Sequence, residues 1–139
     1  MISQILVPMD GSEMAERALE YALENHPDAD VTVIHVAGEP GPMWAAATTL
    51  ALADDLEEAA AEKAEPVFER ATEIAAEHDA TVATTIAVGS PSRAILNRVD
   101  DYDAVVIGSH GGNLADRLLV GNVAQAVFRR SPVPVTVVR

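Results

Sequence analysis

The chain has 139 residues, of which 49% are hydrophobic; 9 Lys+Arg stand against 22 Asp+Glu for a formal charge of −13, and there is no cysteine. That length suits one domain spanning residues 1–139, with enough apolar residues for a contiguous core. The missing thiol excludes a disulfide scaffold, Cys-ligated zinc, an iron–sulfur cluster and thiol catalysis. No apolar run approaches the ~20 residues that cross a bilayer, and the opening residues meet Pro8 too early for a signal peptide. A cytoplasmic protein is expected, with no membrane partner and, given the charge, no nucleic acid.

Ile2–Met9 reads as a strand that ends at Pro8-Met9-Asp10-Gly11-Ser12. Ser12 or Asp10 can cap the helix that follows, and Glu13 and Glu16 suit its positive end. Ala15, Ala18, Leu19, Ala22 and Leu23 recur at threes and fours, an apolar stripe that stops near His26-Pro27. Val31–Val36 is a buried strand, and Gly38, Pro40, Gly41 and Pro42 make the next stretch a loop. Ala45–His78 is one long helical pattern, in which Pro66 predicts a kink or break near Glu62–Pro66. Thr81–Val88 is a strand; Ser90 and Pro91 then open a helix as N-cap and first residue. Ala104–Ile107 is a fully apolar strand, Leu114 to Arg130 is helical with an interruption at Gly121, and Val133–Val138 is the last strand.

Alternation of strands and helices implies parallel strands joined by right-handed crossovers. The expected fold is therefore a three-layer α/β/α doubly wound domain around a five-stranded parallel sheet. In that architecture ligands bind beyond the carboxyl ends of the strands, where the strand order reverses. Gly108-Ser109-His110-Gly111-Gly112-Asn113 would offer a phosphate several main-chain N–H groups without Cβ obstruction. Gly121-Asn122 opens a helix whose first N–H groups lack intrahelical partners, so two clusters of amides would grip an anion. The Gly-Lys-Ser/Thr loop and the dinucleotide fingerprint are absent, which leaves main-chain N–H groups, Arg117 and a divalent cation to hold phosphate.

Three segments in register resemble the universal stress protein family over essentially the whole length. They are Ile5-Leu6-Val7-Pro8-Met9-Asp10-Gly11-Ser12, the Gly-x-x-Gly, nine residues, Gly pattern from Gly108 through Gly121, and Ser131-Pro132-Val133-Pro134-Val135-Thr136-Val137-Val138. The resemblance implies an adenine nucleotide alpha hydrolase-like fold, a homodimer, and a nucleotide-binding branch that holds ATP, with ADP or AMP as alternatives and Mg2+ as companion. It would carry the family's contacts onto Pro8, Met9 and Asp10 by the first strand and Val36 near adenine. Gly108, Ser109, His110, Gly111, Gly112, Asn113 and Leu114 would surround ribose and phosphates, and Gly121, Asn122, Val123 and Ala124 would complete the site at the helix start. The family's Ser/Thr after the last glycine is Asn122 here, an amide that can cap a helix and donate to phosphate but adds bulk near a γ-phosphate.

The remaining candidates are weaker. Asp10 suits a ribose, a metal-bound water or a helix cap; His110 suits a phosphate or solvent; Trp44 suits an adenine lid or an anchor for the long helix. His35, inside an apolar strand, reads as a satisfied core residue, and His26 and His78 as helix-end cations. The four histidines show no metal-ligand spacing, and Ser12 and Ser109 have no His/Asp partner for nucleophilic catalysis. The expected function is a stress-response regulator acting through nucleotide-dependent conformation or partner binding, with at most slow hydrolysis. The alternative is an adaptor dimer of the same fold with a vestigial site. Val133–Val138 is the expected dimer edge, and the spread of acidic residues suits a high-salt host.

Overall fold

The computed structural model describes residues 1–37, 53–109 and 121–139. The expected loop at 38–44 with Trp44, the helical start at 45–52, His110 to Leu114 and Arg117 lie outside the described residues.

The elements in order are β1 (Gln4–Pro8), α1 (Glu13–Asn25), β2 (Asp30–Ala37), α2 (Ala53–Glu77), β3 (Val82–Val88), α3 (Pro91–Leu96), a single 3-10 turn (Val99–Asp101), β4 (Ala104–Gly108), α4 (Asn122–Arg130) and β5 (Val135–Val138). The five strands are all parallel and lie in the order β3-β2-β1-β4-β5. The chain winds outward from β1 through β2 to β3, then returns to β4 on the other side, so the order reverses between β1 and β4. This is the doubly wound three-layer fold expected from the strand–helix alternation.

Strand periodicity divides the core. Ile5, Val7, Val31, Val33 and Val106 point to the face covered by α1 and α2, where they pack on Ala18, Leu19, Ala22, Ala71 and Ile74. Leu6, Ile34, Val105 and Ile107 point to the opposite face, against Ile95, Val99, Ala124 and Val127 of the second helical layer. Both faces of the central strands are thus buried, which is why those strands read as continuous apolar runs.

Local chemistry sets most of the ends. The Ser12 hydroxyl accepts the Ala15 N–H at 3.2 Å, so Ser12 is the cap of α1, with Glu13 and Glu16 in the first turn. Gly11 turns the chain into that helix with φ of +86°, a conformation glycine adopts without strain. The helix α2 runs through Pro66 without a break. Pro66 and Glu62 both face solvent, so water can satisfy the carbonyl that loses its donor, while Ala60, Ala64, Val67 and Ala71 stay packed on the inner face. At α3, Ser90 holds the N-cap position and Pro91 the first turn, but the Ser90 side chain makes no capping hydrogen bond.

Candidate functional site at the strand-order switch

A cleft of about 230 Å3 opens beyond the carboxyl ends of β1 and β4, on the side of the sheet that carries α3 and α4. Its floor is the end of β1, Pro8 and Met9, with Asp10 at the rim; Gly108 and Ser109 continue it at β4. Ile34 and Val36 of β2 and Pro91 and Ile95 of α3 form an apolar wall. The far wall is the start of α4, from Gly121 to Ala124. The topology brings together Pro8, Met9, Asp10, Val36, Gly108, Ser109, Gly121, Asn122, Val123 and Ala124, all singled out in the sequence.

Ala15, Ile34, Pro91, Ile95 and Ile107 line the cleft without having been singled out as site residues. The sequence held a signal for two of them. In a strand, residues two apart share a face, so Ile34 accompanies Val36, and Ile107 directly precedes Gly108. Pro91 and Ile95 arrive through the β3–α3 crossover, whose position depends on long-range packing.

The polar groups divide into those already engaged and those that are not. The Ser109 N–H donates to the Val138 carbonyl at 2.7 Å, prolonging the β4–β5 ladder, and the Gly121 N–H donates to the Ser109 carbonyl. These two amides were expected to face an anion; instead they close the sheet end and fasten the start of α4 to it. At α4 the first intrahelical acceptor, the Gly121 carbonyl, is taken by Gln125 at 2.9 Å. The amides of Asn122, Val123 and Ala124 therefore have no intrahelical acceptor and sit at the positive end of the helix. Gly121, not Asn122, is the N-cap, and no side chain caps the helix among the described residues. Asn122 is the first helical residue and exposed.

Asp10 carries the sole formal charge among the described lining residues. Its Oδ1 accepts the Ser12 N–H at 2.9 Å, a local turn that leaves the hydroxyl of Ser12, not the carboxylate, to cap α1. His35 has a partner for Nδ1, which lies 2.9 Å from the Met9 carbonyl, but it is half-buried and not the core residue expected. Gly108 has a further reason to be glycine. A Cβ there would lie 2.9 Å from the carbonyl carbon and oxygen of Met14, so the bare α-carbon lets α1 lie against the end of β4. Apolar walls, one carboxylate and a helix start with three donors that have no intrahelical acceptor make a cleft suited to a flat, partly apolar ligand carrying an anionic group.

A sequence model described as the universal stress protein family matches residues 1–139. Universal stress protein YxiE of Bacillus subtilis is 28% identical over 148 aligned positions, covering all of both chains. The solved structure of MJ0577, a universal stress protein of Methanocaldococcus jannaschii, superposes with a TM-score of 0.81 at 27% identity, covering 99% of this chain and 96% of that one. At lower identity the fold is shared with universal stress proteins solved with cAMP (24%, TM-score 0.70), with dAMP from Archaeoglobus fulgidus (23%, 0.69) and with AMP from Arabidopsis thaliana (16%, 0.67). Those three alignments cover at least 98% of this chain and at least 90% of each relative. Fold, cleft and full-length match agree: the chain belongs to the universal stress protein family.

Proposed function

We propose that this chain binds an adenine nucleotide in the cleft at the β1–β4 switch, and that occupancy by ATP, with ADP and AMP as competitors, changes its shape or partner surface in a stress response. The observation that carries this reading is the start of α4. Asn122, Val123 and Ala124 present main-chain donors to a cleft whose other walls are apolar, so an anion at the helix and a base between Val36 and Ile95 complement it. The relatives solved with AMP, dAMP and cAMP support the same ligand class. Asp10 suits a ribose hydroxyl or, jointly with phosphate oxygens, a Mg2+ ion, which commonly keeps most of its waters. His110, Gly111, Gly112, Asn113 and Leu114 are proposed to close the site around ribose and phosphates, as the family resemblance implies.

A ligand can act as a signal only by binding one conformation more tightly than another, so the reading is regulatory and assigns no turnover. The Ser12 hydroxyl is committed to its helix cap, which argues against a nucleophilic role.

Calorimetric titration with ATP, ADP and AMP, with Mg2+ and in molar KCl, tests the proposal. Saturable heat for at least one of them is expected. No heat for any would favour the second reading, an adaptor dimer with a vestigial site, to which the replacement of the family's Ser/Thr by Asn122 lends support.

Two further parts of the reading have their own tests. The edge position of β5 supports a homodimer through Val133 to Val138; light scattering that returned the monomer mass of 14.6 kDa would contradict it. Glu57, Glu58, Glu62, Glu65, Glu69, Glu73 and Glu77 are all exposed along α2, and the net charge of −13 supports a cytoplasm rich in salt. Stability should then rise from dilute buffer to molar KCl; a flat or falling curve would count against it.

A further inference from the structure

We infer that His35 is a positioning residue for the cleft: its ring clamps the turn after β1 and so fixes where Asp10 stands. The strand β1 ends at Pro8, yet Met9 remains held on both sides by β2. Its N–H donates to the Ile34 carbonyl at 2.9 Å, and its carbonyl accepts from His35 Nδ1, also at 2.9 Å. A carbonyl can only accept, so Nδ1 carries a hydrogen. The next residue is Asp10, whose carboxylate accepts the Ser12 N–H, and Ser12 in turn caps α1.

Two links therefore run from a ring on the α1/α2 side of β2 to the rim of the cleft, the Nδ1–Met9 hydrogen bond and the Met9–Asp10 peptide, and two more, Asp10–Ser12 and Ser12–Ala15, continue into α1. His35 itself is not among the described lining residues. Without the Nδ1–H donor the Met9 carbonyl has no side-chain partner among the described residues, and the peptide between Met9 and Asp10 loses that restraint. Rotation of that peptide would move the carboxylate off the position it needs, since a displacement of about 1 Å is enough to weaken a preorganised contact. The effect on ligand affinity rests on the nucleotide reading above; the clamp itself does not.

Asparagine places an amide N–H where imidazole places Nδ1–H, whereas phenylalanine keeps the ring and removes the donor. His35→Phe is expected to weaken AMP binding about tenfold by calorimetry and to speed exchange of the Ser12 amide at least tenfold. His35→Asn is expected to stay within about threefold of the parent in both. Equal losses in the two variants, or slow Ser12 exchange in His35→Phe, would overturn the inference. Should His35→Phe not fold, nitrogen-detected spectra of the unsubstituted protein decide: a bare Nδ1 with hydrogen only on Nε2 overturns it, and a protonated Nδ1 coupled to the Met9 carbonyl sustains it. If the unsubstituted protein takes up no AMP, the nucleotide reading fails, while Ser12 exchange still tests the clamp.

Discussion

The seam between β1 and β4 has two ends, and they treat main-chain N–H groups in opposite ways. At the amino end, the Asp103 carboxylate accepts the N–H groups of Ser3 and Gln4 through one oxygen, at 2.8 and 2.9 Å. The Asp103 N–H returns a bond to the Gln4 carbonyl at 2.8 Å, and Asp30 N–H bonds Ser3 at 2.8 Å, so this end is stitched shut. At the carboxyl end the strands diverge around Gly108, a cleft opens, and the donors at the start of α4 have no intrahelical acceptor. An internal anion completes one end; at the other, under the reading proposed above, the anion would come from a ligand. The same topological seam is fastened at one end and open at the other, and the difference rests on whether the chain supplies its own carboxylate there.

The largest expected effect lies at the carboxyl end, where opening the cleft depends on α1 lying against β4. Gly108→Val would drive a Cβ to 2.9 Å from the Met14 backbone, and a backbone neighbour cannot rotate away. A loss of about 3 kcal/mol in urea unfolding is expected, the upper part of the range for overpacking. Unfolding within about 0.5 kcal/mol of the parent would mean that the contact between α1 and β4 is loose, and with it the wall of the cleft.

The amino end gives the next largest effect. Hydrogen bonds from the Ser3 and then the Gln4 main chain hold the Asp103 carboxyl below the usual carboxylate range. A group whose folded value is lowered stabilises the fold above its unfolded value, and that stability is lost as pH falls through the folded one. Asp103→Asn is expected to lower the thermal midpoint at neutral pH and to converge with the parent once acid has protonated Asp103. A constant difference between the two proteins across that acid range would show that the carboxylate charge is not what closes this end.

How far the sequence disclosed these ends follows from the range of the interactions. Ser12, Gly11 and the stripe of α1 were legible because cap, turn and stripe all lie within a dozen residues. The strands, and the α/β alternation that puts a cleft at the β1–β4 switch, were legible because their apolar runs are continuous. Asp103 was not, since its partners are 99 and 100 residues away and a carboxylate before a strand carries no mark of them. Gly108 was singled out because the sequence motif pointed to a ligand, and the packing of α1 gives it a structural duty that the motif does not show. The amides of Ser109 and Gly121 were assigned to a ligand because their acceptors, on β5 and β4, depend on strand order. The break allowed for at Pro66 does not occur, because its cost depends on which side of the helix it faces, which a sequence pattern leaves undecided until the core is known.

The smallest effect sharpens the same contrast at the remote ends of α1 and α2, where His78 pairs with Glu24 across the two helices. His78 follows α2; its Nδ1 donates to the Ile74 carbonyl at 3.0 Å and its Nε2 lies 3.3 Å from Glu24 on α1. Both acceptors are served only when both nitrogens carry hydrogen, so the Ile74 carbonyl first, then Glu24, raise the histidine above its ordinary value. The sign is opposite to that of Asp103. Stability from His78 is fully present below the unfolded value of about 6.5 and is lost as pH rises through the higher folded value. His78→Asn should therefore lower the thermal midpoint on the acid side of that window, and the gap from the parent should close on the alkaline side. Glu24 is 62% exposed, so molar KCl should screen the gap to near nothing. A gap that persists in molar KCl and at alkaline pH would assign His78 a packing role in place of a charge. By contrast, salt should leave much of the Asp103 effect in place, because main-chain hydrogen bonds rather than a distant opposite charge make that carboxylate stable.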